Sequence, residues 1–356
     1  MFRIDEHTVL PLARGCSILG AGGGGDTEIG VLASRQAIEG FGPVEVRPLE
    51  ELPPQGLIMP GGSIGAPIVG LEKIERGDEC VAIREWVEQL RGEPVIAVMA
   101  SEIGGSNGLV PIAWAARMGL PVVDADGMGR AFPEVQQITM EIAGISASPA
   151  VMADERGNVI VFHAADGPWM ERLERAATIE FGGTAMASDY LLTVEQAMTA
   201  TVPGTVSLAI EIGRTIGEAE DDPVGAVSRS IDAARLIDGK IVDVDRRIES
   251  GFNRGSCTIE GLGAHAGSEL RIDIQNENLI AVLDDRIVAT VPDIITVCDA
   301  ETGEAIHTER LRYGQRVSVI AFPCASIWRT PEGLAIAGPR VFGYEIEYTP
   351  VERLHA

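Results

Sequence analysis

Asp124 and Asp126 stand two residues apart in "DADGMGRAFPE" (124–134), with Arg130 and Glu134 close behind. In extended chain, residues i and i+2 point to the same side, so the two carboxyl groups are expected together. Such a pair can hold a divalent metal ion, with Asp124 and Asp126 as ligands. It can also divide into a general acid and a general base. An EF-hand frame fails, because its last ligand position falls at Val135 and Glu134 is one residue short. The structural alternative is an Asx turn at a strand end with an Arg130 ion pair.

Two further stretches carry polar groups among glycines. "PGGSIGAP" (60–67) offers Gly62 and Ser63, and "ASEIGGSNG" (100–108) offers Glu102, Gly104, Gly105 and Asn107. A fourth, "LGAGGGGD" (19–26), places Gly22, Gly23, Gly24 and Gly25 before Asp26. Side-chain-free amides ahead of a helix can wrap an anion or pack on a flat ligand. As a string the run also satisfies G-x-G-x-x-G, but a dinucleotide site needs a strand before it, and "LPLARGCSIL" reads as a helix end. Neither NAD nor ATP is expected. His163 follows "VIVF" at another strand end and is a candidate ligand or base. No H-x-H, H-E-x-x-H or C-x-x-C occurs, and Cys257 and Cys324 read as buried thiols.

Elements must bring these loops together. Apolar runs at 56–62, 94–105 and 121–129 read as strands. Helical patterns at 5–17, 27–40, 78–91 and 109–118 surround them, the second capped by Asp26 or Thr27. Strands alternating with helices imply βαβ units and a parallel sheet. Ligands bind outside the carboxyl ends of such strands, where the polar, Gly-rich loops lie. "ITMEIAG" (138–144) and a hairpin turning at 155–158 read as strands. Segments 166–180, 194–200, 204–219 and 223–237 read as helices, the last stopped by Gly239. From 239 the text becomes short alternating strands joined by polar turns. The predicted fold is α/β, a three-layer domain with a mainly parallel sheet over 1–238, followed by an all-β barrel- or sandwich-like domain over 239–356. A boundary near 166 is the competing choice.

Composition narrows the partners. The net charge of −25 and the scarcity of lysine (Lys73 and Lys240) oppose a nucleic-acid partner and a P-loop. No apolar run reaches the roughly 18 residues of a membrane span, and no signal-peptide h-region is seen. Five dispersed cysteines fit a reducing, cytoplasmic setting.

The four quoted loops together resemble the family named for S-methyl-thiohydantoin desulfurase, long catalogued as a domain of unknown function. The resemblance covers nearly the whole chain. It implies an α/β three-layer N-terminal domain, a mostly-β C-terminal domain, and hydrolytic chemistry on a five-membered imidazolidinone ring. It also implies hydantoinase or oxoprolinase subunits as partners. In the named reaction water adds to C2 and methanethiol leaves. Asp124 and Asp126 would then activate the water, directly or through the metal, with Glu102 or Glu134 as the second carboxyl group. Arg130 would pair with a substrate carboxylate. Gly22–Gly25 and Gly104–Gly105 would supply amide donors, and Asp26 would cap its helix or reach into the site. A small-molecule substrate and a homo-oligomer are expected. A nucleotide-binding protein and a non-catalytic hydantoinase partner are the alternatives.

Overall fold

Short β-branched runs form a parallel core here because helices cover both of its faces. A computed structural model describes residues 1–65, 69, 72–249 and 252–355. Four strands lie parallel in the order Val44–Arg47, Val122–Asp126, Val95–Ala100, Leu57–Gly65. Antiparallel strands extend this sheet on both sides: Phe2–Ile4 beside Val44–Arg47, and Thr184–Ser188, Ala150–Ala153 and Val159–Phe162 beyond Leu57–Gly65.

The strand Leu57–Gly65 belongs to both halves. Over Leu57–Gly61 it pairs parallel with Val95–Ala100, and over Gly62–Gly65 antiparallel with Thr184–Ser188. Gly62 and Ser63 sit where the pairing changes. The last two residues of the PGGSIGAP stretch lie outside the described residues.

The second sheet has seven antiparallel strands between Ala234 and Phe322 and forms a half-barrel. It shares core with the first domain: Ile294, Cys298, Ile320 and Phe322 pack in one cluster with Leu12, Cys16 and Leu19 of the helix Val9–Leu19. Trp328, fully buried, closes a second shared cluster, and its indole N–H donates to the Met128 carbonyl at 2.6 Å. All five cysteines are buried and free. Among the described residues no helix is long and apolar enough to cross a membrane.

Two element assignments differ from the sequence reading. The expected strand at 138–144 is a short helix, Thr139–Ile142. The expected helix 223–237 stops at Ser230, and a strand runs from Ala234 to Glu249. Asp232 turns the chain with φ 54°, and Ile237 and Ile241 then enter the half-barrel core. Gly239 is therefore a strand residue, not a helix cap. A Cβ there would meet the Glu260 carbonyl oxygen at 2.5 Å, so glycine permits strand contact.

Candidate active site

Residues after the parallel strands and one turn of the half-barrel enclose a cavity of about 160 Å³. That is smaller than the roughly 300–1,000 Å³ of a drug-sized ligand site and suits a small ring. Its wall includes Gly24, Gly25, Ser63, Glu102, Asn107 and Glu277.

Glu102 follows the strand Val95–Ala100 and is buried. Asn107, in the 3₁₀ turn Gly105–Gly108, donates its amide to Glu102 Oε1, and the Phe132 N–H donates to Oε2 at 3.2 Å. The Asn107 carbonyl oxygen accepts from the Ser63 N–H at 2.7 Å and the Ser63 hydroxyl at 2.8 Å. These bonds fix the orientation of Asn107, and Asn107 fixes Glu102. Burial pushes Glu102 up to about 8 despite those donors, with the Asp126 charge adding to the rise and Arg130 opposing it.

Glu277 faces the same cavity from the half-barrel, where it opens the strand Glu277–Leu283 just after Asn276, whose φ is 56°. It is 2% exposed, and its Oε2 has no hydrogen-bond partner among the described residues. Burial holds its carboxyl well above the usual range, the charge of Glu102 raises it further, and Arg130 pulls it down. Two buried carboxyl groups that sense each other cannot both ionise cheaply, so one keeps its proton.

The glycine run lets three backbones meet. Gly24 has φ 72°, and a Cβ on it would lie 2.1 Å from the Gly104 carbonyl oxygen. A Cβ on Gly23 would lie 2.0 Å from Glu277 Oε1. The Gly24 and Gly25 carbonyls accept from the Asn107 and Ser106 N–H groups at 3.2 and 2.9 Å, while Ala21 and Gly22 carbonyls accept from Asn278 and Thr308 N–H groups. The run thus clamps the Asn107 turn to the strand that carries Glu277. Gly24 and Gly25 line the cavity, and their N–H groups donate to no described residue. Gly22 and Gly23 abut the half-barrel, and Gly104 and Gly105 lie beneath Gly24 as packing surfaces. Asp26 caps the helix Thr27–Phe41 through the Glu28 N–H at 2.9 Å and pairs with Arg310 at 2.6 Å, so its oxygens are committed although it borders the cavity.

The aspartate pair does not act as a unit. Asp124 accepts from the Ser207 N–H at 3.0 Å and from the Ser207 hydroxyl, at the start of the helix Thr205–Glu218. Asp126, fully buried, accepts from the N–H groups of Ile103 (2.8 Å), Met128 (3.0 Å) and Gly129 (2.8 Å). Neither lines the cavity. Asp126 ties the loop after one strand to the loop after the next, and burial raises it to about 7. The two carboxylates spend their oxygens on different partners and do not fit a shared metal ion. Among the described residues no three His, Cys, Asp or Glu side chains gather as a metal site.

Arg130 is also placed otherwise than expected. It is fully buried between the domains, where Nη1 donates to the carbonyls of Pro292 and Asp293 and Nε to that of Ala131, with its guanidinium 4.4 Å from the Phe132 ring centre. Its Nη2 has no hydrogen-bond partner among the described residues, and its charge opposes the rise of Glu102 and Glu277. Glu134 lies on the cavity wall, raised by burial and by Glu171. His163 is exposed beyond the strand Val159–Phe162 and stands outside the cavity.

Three buried acids of the cavity escaped the sequence reading: Glu277, Glu174 and Asp189. Glu174 had a readable signal. It shares the buried face of the helix Gly167–Glu180 with Met170 and Thr178, four residues to either side. Glu277 had only a charge at the head of an apolar strand.

A crystal structure of a protein from Chromobacterium violaceum, determined by a structural genomics consortium, matches with a TM-score of 0.80 and 24% identity, covering 99% of this chain and 100% of that one. That likeness shows the fold. No curated protein matched. The family model described as S-Me-THD-like, N-terminal domain, matches residues 7–164, and its C-terminal counterpart matches 165–351. The chain belongs to the S-methyl-thiohydantoin desulfurase-like family.

Proposed function

We propose that the protein hydrolyses a hydantoin-type five-membered ring, releasing methanethiol from C2 of an S-methyl-thiohydantoin. The observation that carries this reading is the buried Glu102–Glu277 pair, one carboxyl group following a parallel strand and the other entering from the half-barrel. The family's name points to such a ring, which supports the reading, and water addition needs a base and an acid in a dry site.

Glu102, ionised, takes a proton from water as its oxygen attacks C2. Glu277, protonated, gives its proton to the ring nitrogen that gains the electron pair. The intermediate carries hydroxyl and methylthio groups on a tetrahedral C2. As the C2–S bond breaks, the hydroxyl proton returns to Glu277, the C2 carbonyl forms, and Glu102 protonates the departing sulfur. The sum is ring plus water to hydantoin plus methanethiol, and both carboxyl groups end as they began. Asn107 and the Phe132 N–H hold Glu102 in place. The free Gly24 and Gly25 N–H groups are the donors available to a ring oxygen.

A polyphosphate would meet Glu102, Glu277 and Glu174 in this cavity, which weighs against the nucleotide reading. The test is thiol release from S-methyl-thiohydantoin by the purified protein. Turnover in wild type and its loss in Glu102→Gln and Glu277→Gln support the reading. Absence of thiol release from wild type refutes it.

A further inference from the structure

Of the cavity's carboxyl groups outside that mechanism, two are buried, Glu174 and Asp189. Glu174 is fully buried on the helix Gly167–Glu180, and neither of its oxygens finds a hydrogen-bond partner among the described residues. Asp189 follows the strand Thr184–Ser188, is 7% exposed, and its Oδ1 is likewise unpartnered. Both line the cavity. Burial and the neighbouring acids hold both carboxyl groups high, Asp189 at about 7.

Nearby cations are engaged elsewhere. Arg175 donates to Glu171 Oε1 at 2.7 Å and to the Pro133 carbonyl at 3.1 Å, and its guanidinium lies 4.7 Å from the Phe252 ring centre. Lys73 donates to the Phe181 and Thr184 carbonyls and pairs with Glu155 at 2.8 Å. Leaving acceptors buried and unpaired is unfavourable unless a ligand completes them. What Glu174 and Asp189 lack is a cationic partner, and an anionic group would be opposed by either carboxyl group once ionised.

We propose that Glu174 and Asp189 form a recognition subsite for a cationic N–H donor on the substrate, so that the preferred rings carry a short basic side chain and not an acidic one. This rests on the ring-hydrolysis reading for the identity of the ring. Charge-assisted bonds from an ammonium group to two buried carboxyl groups are strong and directional. Binding favours their ionised forms, so a proton leaves as the cation enters.

The test compares two S-methyl-thiohydantoins of matched length, with an aminoethyl or a carboxyethyl group at C5. Methanethiol release gives kcat/KM, and calorimetry gives Kd for the two hydantoin products. In wild type the aminoethyl compounds should be favoured about tenfold or more in both quantities. The preference should collapse toward unity in Asp189→Asn and in Glu174→Gln. Equal or tighter binding of the carboxyethyl product by wild type, or no binding of either, overturns the subsite without needing a variant. Thiol release without the preference leaves ring hydrolysis standing and removes the subsite. The preference in Kd without thiol release does the reverse.

Discussion

Asp126→Asn separates a carboxylate that holds loops from one that does chemistry. Asp126 Oδ2 accepts from Ile103, Met128 and Gly129 N–H groups, and Oδ1 takes a second bond from Gly129. Asparagine keeps one oxygen. Placing it at the Oδ2 position saves the three contacts to Oδ2 and turns an NH₂ toward the Gly129 N–H. One buried donor pair is then opposed, which costs roughly 1–3 kcal/mol. In a chain of 356 residues, with an unfolding entropy of about 2.1 cal/mol/K per residue, that lowers Tm by roughly 1–4 °C. Glu102 directly precedes Ile103, so turnover should fall but persist, and its rising limb should move down in pH because the Asp126 charge no longer raises Glu102. Calorimetry and thiol release on the same preparation check both halves. An Asp126→Asn protein with wild-type Tm and no turnover would refute the reasoning and return Asp126 to the reaction.

Three further outcomes follow. Gly24→Ala adds a Cβ 2.1 Å from the Gly104 oxygen at φ 72°, combining overpacking of about 1–3 kcal/mol with a left-handed penalty of about 1–2. Gly119→Ala, at φ 65° with open space around it, carries only the second, so denaturant unfolding should show the larger loss for Gly24→Ala. Equal losses would mean that the Gly24–Gly104 approach is not tight. Stability should also fall as pH rises from about 5 to 8. Burial raises Glu102 to about 8 and Asp126 and Asp189 to about 7. Their contribution is full below the unfolded values near 4 and is lost as pH climbs through the folded ones. Asp5, whose carboxyl is lowered chiefly by its hydrogen bond with Thr8, acts oppositely, and its contribution is lost only below about pH 4. A Tm that stays flat or rises between pH 5 and 8 would contradict the burial of these acids.

Local signals were legible in the sequence and long-range ones were not. Asp26 capped its helix as expected, because capping needs only the next two residues. The strands ending near Ala100 and Asp126 could be read from apolar runs stopped by polar residues, whereas the strand read over 56–62 continues to Gly65 and changes pairing at Gly62, which no local signal marks. Glu102, expected as a catalytic carboxyl group, and Asn107 and Ser63, expected to bind substrate, all line the cavity. The pairing of Asp124 with Asp126 failed for a physical reason. Strand periodicity tells which side a residue faces and not which partner takes its oxygens, and Ser207, far along the chain, takes those of Asp124. Arg130 failed in the same way, since Pro292 and Asp293 bind it from the other domain. Glu277 enters the cavity from a strand whose sequence holds no trace of the Gly23 backbone it packs against.

The most direct test of the Glu102–Glu277 pair is the pH dependence of kcat/KM for methanethiol release, measured for wild type and Glu102→Gln. A base at about 8 predicts a wild-type rate that rises with pH through that value as Glu102 ionises, and falls again as Glu277 loses its proton. Glu102→Gln should lose the rising limb and drop by roughly 10²–10⁴ in rate. A variant that keeps the limb and most of the rate would contradict the assignment and place the base elsewhere in the cavity.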